Sequence, residues 1–339
     1  MGHGDALKKI RYGYSFLCKR LIHVNLQVGY ACNFRCRICD FWKEDFHDRP
    51  RMTLEQVRTI ADRLKQAGPQ IISIGGGEPL MHPDIVEIAR VLSRDNFGAM
   101  ICNGWFMTPV IAKALFSAGM YEISISVDYA DPAKHDAQRG SRGAFDRAIR
   151  ALRMLNEARV HPEQRVHMIS VVMDDNIDEI EPLIRLSREI GVTYLVTLYS
   201  DNRGTKPARS PSRDVSAHLL ALKERYPEFV AVRGYLERFT EAVERGGIYP
   251  CQAGRNLMNI DSQGQVTYCI DHLENPAGNI LFDPLEGILA RLEAQQRENA
   301  CHGCWTSCRG TAESLMYGGH FVRNILDYHR MTRPVPLVR

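Results

Sequence analysis

The sequence predicts an α/β protein: an open barrel of parallel strands flanked by helices, followed by a small cysteine-bearing α+β extension. Three observations predict it. Strand-like and helix-like segments alternate through residues 21–200 with few long loops. Two of the strands keep one polar face. After about residue 200 the alternation stops and a second group of cysteines begins. In a flat parallel sheet covered by helices on both faces, strands are apolar throughout. A polar face therefore points to a curled sheet with helices outside and a solvated cavity inside, while half-exposed edge strands would give the same pattern.

With 339 residues, 45% of them hydrophobic, the chain can bury a large core as one domain or as one domain with an appendage. A net charge of +3 with mixed signs and no basic stripe makes nucleic acid an unexpected partner. There is no run of eighteen apolar residues, and Met1-Gly-His-Gly-Asp5 lacks the apolar core of a signal peptide, so no membrane association is expected. Ten cysteines, eight of them clustered, read as metal ligands in a reducing, cytoplasmic compartment rather than as a disulfide framework.

Residues 1–20 form an N-terminal extension. Leu21 to Val28 alternates, with Ile22, Val24, Leu26 and Val28 apolar against His23, Asn25 and Gln27. Thr53-Leu-Glu-Gln56 is a capping box ahead of Leu54, Val57, Ile60, Ala61 and Leu64 at helical spacing, and Gly68 stops that helix. A strand over Ile71 to Ile74, a helix from about Pro83, a strand near Gly98 to Cys102 and a helix opened by Thr108-Pro109 follow. Tyr121 to Asp128 alternates again, with Ser124, Ser126 and Asp128 on its polar side. Then come a helix over 143–158, a strand over 165–172, a helix over 177–190 and a strand over 193–199. Six strands alternating with helices make a parallel sheet, and Asn25, Gln27, Ser124, Ser126 and Asp128 would line its cavity. Barrel chemistry belongs at the C-terminal strand ends.

The loop after the first strand holds Cys32, Cys36 and Cys39. Three thiolates can bind three irons of a 4Fe-4S cube and leave the fourth iron open. Zinc would use the same residue type but normally takes four protein ligands, and no fourth Cys or His stands at matching distance; His47 lies in a charged loop further on. Gly75-Gly-Gly-Glu-Pro79 follows the second strand, where glycines permit close backbone approach and a carboxylate can hold an ammonium group.

The C-x3-C-x2-C spacing directly after a strand resembles that of the radical S-adenosylmethionine (radical SAM) enzymes, and the resemblance covers most of the chain. It implies a partial (β/α)6 barrel and a cluster whose open iron is chelated by the methionine end of S-adenosylmethionine. One-electron cleavage then gives a 5′-deoxyadenosyl radical that takes a hydrogen atom from substrate. Carried onto this sequence, Gly76, Gly77 and Glu78 contact the methionine amino group. Asn103, in Cys102-Asn-Gly104, resembles the end of the family's third strand, and Ser126 and Asp128 the end of its fourth, near ribose or substrate. Ile38 stands where the family usually has an aromatic residue beside adenine, and Phe41 or Trp42 would compensate. Arg139, in the His135 to Phe145 loop, would reach a carboxylate, or else be a surface arginine.

Ser200 to Ser212 reads as a linker, followed within 201–248 by helical stretches at Val215 to Arg225 and Tyr235 to Arg245. Cys251 and Cys269 flank a hairpin with turn chemistry at Asp261-Ser-Gln-Gly264, and Cys301, Cys304 and Cys308 come after a helix near Pro284 to Arg297. On residues alone this is a zinc ribbon or an iron-sulfur site. The C-x12-G-x4-C pattern resembles the opening of a SPASM or twitch extension, which implies one auxiliary 4Fe-4S cluster on Cys251, Cys269 and two of the last three cysteines. Cys301 and Cys304 are preferred, with Cys308 spare. The expected boundaries are a core over 21–200, an auxiliary domain over 249–312, and a closing helix and tail over 313–339.

These readings amount to an enzyme with two clusters and S-adenosylmethionine, supplied with electrons by a reductant such as flavodoxin or ferredoxin. An electron-accepting auxiliary cluster favours oxidation of the substrate radical, by dehydrogenation or bond formation. A polar cavity, and the roughly twenty residues ahead of the first strand, too few for a peptide-recognition domain, favour a small sugar-like or cyclitol-like metabolite. The alternatives are a peptide maturase that crosslinks or epimerises a ribosomal peptide, and a non-catalytic iron-sulfur electron carrier. Of the cysteines left over, Cys18 and Cys102, the second sits at a strand end and is the candidate hydrogen donor, or else a small core residue.

Overall fold

The computed structural model describes residues 3–200, 209–211, 214–299, 301 and 303–338. Six strands run parallel: β1 (His23–Gln27), β2 (Ile71–Gly75), β3 (Phe97–Cys102), β4 (Met120–Ser126), β5 (Arg165–Val172) and β6 (Thr193–Leu198). Three more, β7 (Leu257–Ile260), β8 (Gln265–Thr267) and β9 (Gly278–Asn279), join the same sheet, in the order β6-β5-β4-β3-β2-β1-β7-β8-β9. β7 pairs in parallel with β1, His23 opposite Leu257 through Leu26 opposite Ile260, and only then does the hairpin turn antiparallel. The cysteine-bearing extension thus grows out of the barrel's own first edge.

The alternation along the strands sets the curl. On β1, Val24 and Leu26 are fully buried against the outer helices while His23 and Asn25 are half-buried on the inner side, and β2 and β6 alternate in the same sense. Fully burying an aliphatic side chain of this kind contributes roughly 1.5–3 kcal/mol, which fixes the register of each strand. The outer helices carry matching stripes: Val57, Ile60, Ala61 and Leu64 on Leu54–Leu64, and Leu183, Ile184 and Ile190 on Ile180–Ile190. The Thr53–Gln56 capping box is formed in both directions, and Gly68 takes a positive φ after a short 3-10 turn.

The structure adds to some expectations and corrects others. The N-terminal extension is a helix, His3–Leu17, whose Tyr12 and Phe16 pack on Ile22, Ala312 and Met316. The segment read as a loop around Arg139 contains a helix, Pro132–Arg139, capped by Asp131 and started by proline. β4 stops at Ser126, so Asp128 lies beyond the strand. The Tyr235 to Arg245 stretch is two short helices, Arg233–Leu236 and Phe239–Arg245; a further helix, Ser307–Met316, follows Cys304, and the closing helix is Phe321–Met331. Most of the linker expected from Ser200 to Ser212 falls outside the described residues. Among those described, no helix is long and apolar enough to cross a membrane.

Candidate active site

The loop after β1 is stapled to the turn after β2. Gly77 N–H donates to Gly29 O at 2.9 Å and Glu78 N–H to Ala31 O at 2.9 Å. A Cβ on Gly76 would lie 2.0 Å from Gly29 O, and one on Gly77 would lie 2.3 Å from the carbonyls of Tyr30 and Ala31. The glycines are therefore required by the cysteine loop itself, which needs the backbone of the second strand's turn against it.

Glu78 is buried, and its carboxylate is occupied by backbone: Oε1 accepts from Leu80 N at 3.0 Å and Oε2 from Asn103 N at 2.7 Å. Burial pushes its pKa up to about 7 against the pull of those two donors. The carboxylate joins the ends of β2 and β3 and also lines the cavity described next. Asn103 is held in turn, its side chain donating to Asn33 Oδ1 at 2.9 Å and accepting from Trp105 N at 2.9 Å.

These residues surround one cavity of about 300 Å³ at the C-terminal strand ends. Cys32, Cys36 and Cys39 line one part of it; Gly76, Gly77, Glu78, Cys102, Asn103 and Ser126 line another; Ile38, Phe41 and Trp42 supply apolar wall. Phe41 belongs to an aromatic group with Tyr30 and Phe46, and Trp42 Nε1–H donates to Cys36 O at 3.2 Å. Asn25 and Gln27 line the cavity as expected from the alternation, but Ser124 and Asp128 are buried outside its lining. Asp128, lying past the end of β4, meets Arg139 instead, Oδ2 to Nη2 at 2.7 Å, and Arg139 Nη1 stands 4.0 Å from Cys36 Sγ. The carboxylate that Arg139 reaches is the protein's own.

Burial raises the Cys32 thiol to about 12 and raises Cys36 too, there opposed by the Arg139 guanidinium. Such thiols ionise only when a metal supplies the compensating charge. Cys102 is buried and its thiol is pushed well above its ordinary value, so it faces the cavity as a neutral S–H. Cys18, at the end of the N-terminal helix, is exposed and reaches neither cysteine site.

A second, smaller cavity of about 30 Å³ lies beside the hairpin. All five C-terminal cysteines line it: Cys251, Cys269, Cys301, Cys304 and Cys308. Hydrogen bonds reach several of the sulfurs: Asp271 N–H donates to Cys269 Sγ at 3.3 Å, and His272 Nε2 is 3.4 Å from Cys301 Sγ. The His272 contact draws the Cys301 thiol down, while burial raises Cys251 to about 12. Asn25 and Ile270 line both cavities, so the two cysteine sites share a wall. His272 and Arg309 were missed from the sequence; each adjoins a cysteine segment, a signal too weak to single them out.

The donor sets fit iron-sulfur clusters of two kinds, three thiols beside the larger cavity and five around the smaller one. This is a radical SAM enzyme with a C-terminal auxiliary-cluster domain, and its cofactors are 4Fe-4S clusters and S-adenosylmethionine. The Radical SAM superfamily model matches residues 26–187. Mycofactocin maturase MftC of Mycolicibacterium smegmatis is 29% identical over 308 residues, covering 84% of this chain and 76% of that protein. An AdoMet-dependent heme synthase of Methanosarcina barkeri is 31% identical over 179 residues, 52% of this chain and 50% of that one. The crystal structure of Streptococcus suis SuiB bound to precursor peptide SuiA has the same fold, with a TM-score of 0.65 at 17% identity over 84% of this chain and 68% of that one.

Proposed function

We propose that this chain is a radical SAM peptide maturase, which modifies a peptide by abstracting a hydrogen atom from it. The observation that carries this reading is the reach of the similarity to MftC: 84% of the chain is more than the barrel match at 26–187 can supply, so the likeness includes residues beyond the barrel. The heme synthase likeness spans about half of each chain. SuiB, which shares the fold, has been seen with its precursor peptide. This favours the peptide alternative over the sugar-like or cyclitol-like metabolite, which no relative named here supports.

Cys32, Cys36 and Cys39 would hold the first cluster, and Cys251, Cys269, Cys301 and Cys304 the second, leaving Cys308 on the first turn of its helix with Sγ beside Thr306 Oγ1. When bound, the first cluster and S-adenosylmethionine supply a 5′-deoxyadenosyl radical. The chain's own part is to hold and exclude. The Gly75–Gly77 backbone would hold the methionine end of S-adenosylmethionine, Asn103 and Ser126 its sugar, and Ile38, Phe41 and Trp42 would shield its adenine from water, all of them lining the one cavity. Cys102 offers a hydrogen atom from a thiol that burial keeps protonated. A reducing, cytoplasmic setting and a flavodoxin- or ferredoxin-like reductant belong to the same proposal.

The test is anaerobic reconstitution, followed by assay of 5′-deoxyadenosine with short peptides encoded beside the gene and, separately, with sugar and cyclitol panels. Deoxyadenosine formation stimulated by one peptide, with a mass change in that peptide, supports the reading. Stimulation by a sugar or cyclitol alone overturns it.

A further inference from the structure

Arg309 carries a charge buried beside the five-cysteine cavity, with only 3% of the residue exposed. Nη1–H donates to Cys304 O at 2.7 Å and stands 3.7 Å from Cys304 Sγ. Nη2–H donates to the carbonyls of Ile248 and, at 3.3 Å, Pro250. Nε–H donates to Glu313 Oε1 at 2.8 Å, and that same oxygen accepts from Gln252 N at 2.8 Å. One guanidinium thus ties together the segment leading to Cys251, the turn at Cys304 and the helix that begins beside Cys308. The carboxylate lies on the Nε edge and the sulfur on the Nη1 edge, so the ion pair turns its positive end to the cavity. Consistent with this, Arg309 pulls the Cys251 and Cys304 thiols down against the effect of burial.

We propose that Arg309 is a positioning residue whose charge raises the reduction potential of the cluster bound by these cysteines, with Glu313 setting how much of that charge the sulfurs feel. This rests on the reading that the cavity holds a 4Fe-4S cluster. Such a cluster gains one negative charge on reduction, and a fixed cation a few ångströms away favours the more negative form. Hydrogen bonds to cluster sulfurs act in the same direction, and Asp271 N–H on Cys269 adds one. The arrangement makes the auxiliary site an electron acceptor rather than a strong reductant.

The test uses the full chain with Cys32, Cys36 and Cys39 replaced by alanine, so that bound iron belongs to the second cavity, and an EPR-monitored redox titration. Against that background Arg309→Gln is expected to lower the midpoint by about tenfold in the reduction equilibrium, about 59 mV for a one-electron couple. Arg309→Lys lowers it less. Glu313→Gln, which keeps the Arg309 charge and removes its counter-charge, raises it. Midpoints that stay put in both Arg309→Gln and Glu313→Gln, or move the same way, overturn the proposal. Loss of iron from Arg309→Gln with an unmoved Glu313→Gln overturns it too, leaving Arg309 a structural tie. Absence of iron from the triple-cysteine background itself removes the cluster reading, and the proposal with it, which is a distinct result from an iron-loaded protein with an unmoved midpoint.

Discussion

The two cysteine sites are built from similar parts to opposite ends. Each sets a buried arginine, paired with a buried carboxylate, beside a cysteine sulfur: Arg139 with Asp128 near Cys36 at 4.0 Å, and Arg309 with Glu313 near Cys304 at 3.7 Å. They differ in donors and in space. The first offers three thiols and opens on a cavity of about 300 Å³, while the second gathers five thiols around about 30 Å³. Three thiols can leave one coordination position of a cluster to an outside ligand, and room stands beside them. The five-thiol site can supply every donor itself, and it keeps far less room.

The largest test of this contrast separates the sites by iron. Cys36→Ala should abolish deoxyadenosine formation while keeping about half the iron, and Cys304→Ala should lose the other half yet still cleave S-adenosylmethionine. Loss of cleavage in both variants would collapse the distinction. Next, Arg139→Gln leaves Asp128 buried without its counter-charge and should cost roughly 3–5 kcal/mol in urea unfolding of the apoprotein. Adding Asp128→Asn should recover much of that, and a double variant no better than the single one would mean that the pair is not the source. Gly77→Ala, whose methyl would enter the space of two backbone carbonyls, should cost about 2–3 kcal/mol and empty the first site alone. Iron lost equally from both sites would show that the glycine holds up the whole barrel.

The smallest effect lies at the closed end of the barrel. Burial lowers the His23 pKa to about 4 despite help from Asn25, so the folded chain keeps this imidazole neutral while the unfolded chain protonates it near 6.5. The unfolded state therefore binds more protons between those values. The contribution is present above about pH 6.5 and is lost as the pH falls toward 4, amounting to roughly 1–2 kcal/mol after discounting for partial exposure. In His23→Gln the fall in stability over that range should flatten, and an unchanged slope would assign the acid sensitivity elsewhere.

The barrel was legible because its strands alternate and its helices carry caps that act locally: Thr53 with Gln56, Thr108 with Pro109. The cysteines were legible because spacing is written in the sequence. What escaped depends on pairings between distant residues. Nothing near residue 257 announces that it will lie beside His23, so the ladder that joins the extension to the barrel was not foreseen. Asp128 shares the alternation of β4 and was read onto the cavity wall, yet the strand ends two residues earlier and the chain turns it toward Arg139. Gly76 and Gly77 were singled out for a cofactor contact, and the structure adds a second demand on them that spacing could not show, since backbone of the cysteine loop occupies the place of their missing side chains.

The ladder between β1 and β7 has a mechanical consequence. β1 leads straight into the first cysteine loop, and the hairpin begun by β7 delivers Cys269, so four registered residue pairs act as a ruler between the two sites. Gln27 Nε2–H on Asn259 Oδ1 at 3.1 Å adds a side-chain tie across the same seam. A molecule that must meet both sites cannot be clamped by parting one from the other without tearing the sheet. The spacing of the two sites is thus a property of the sheet itself.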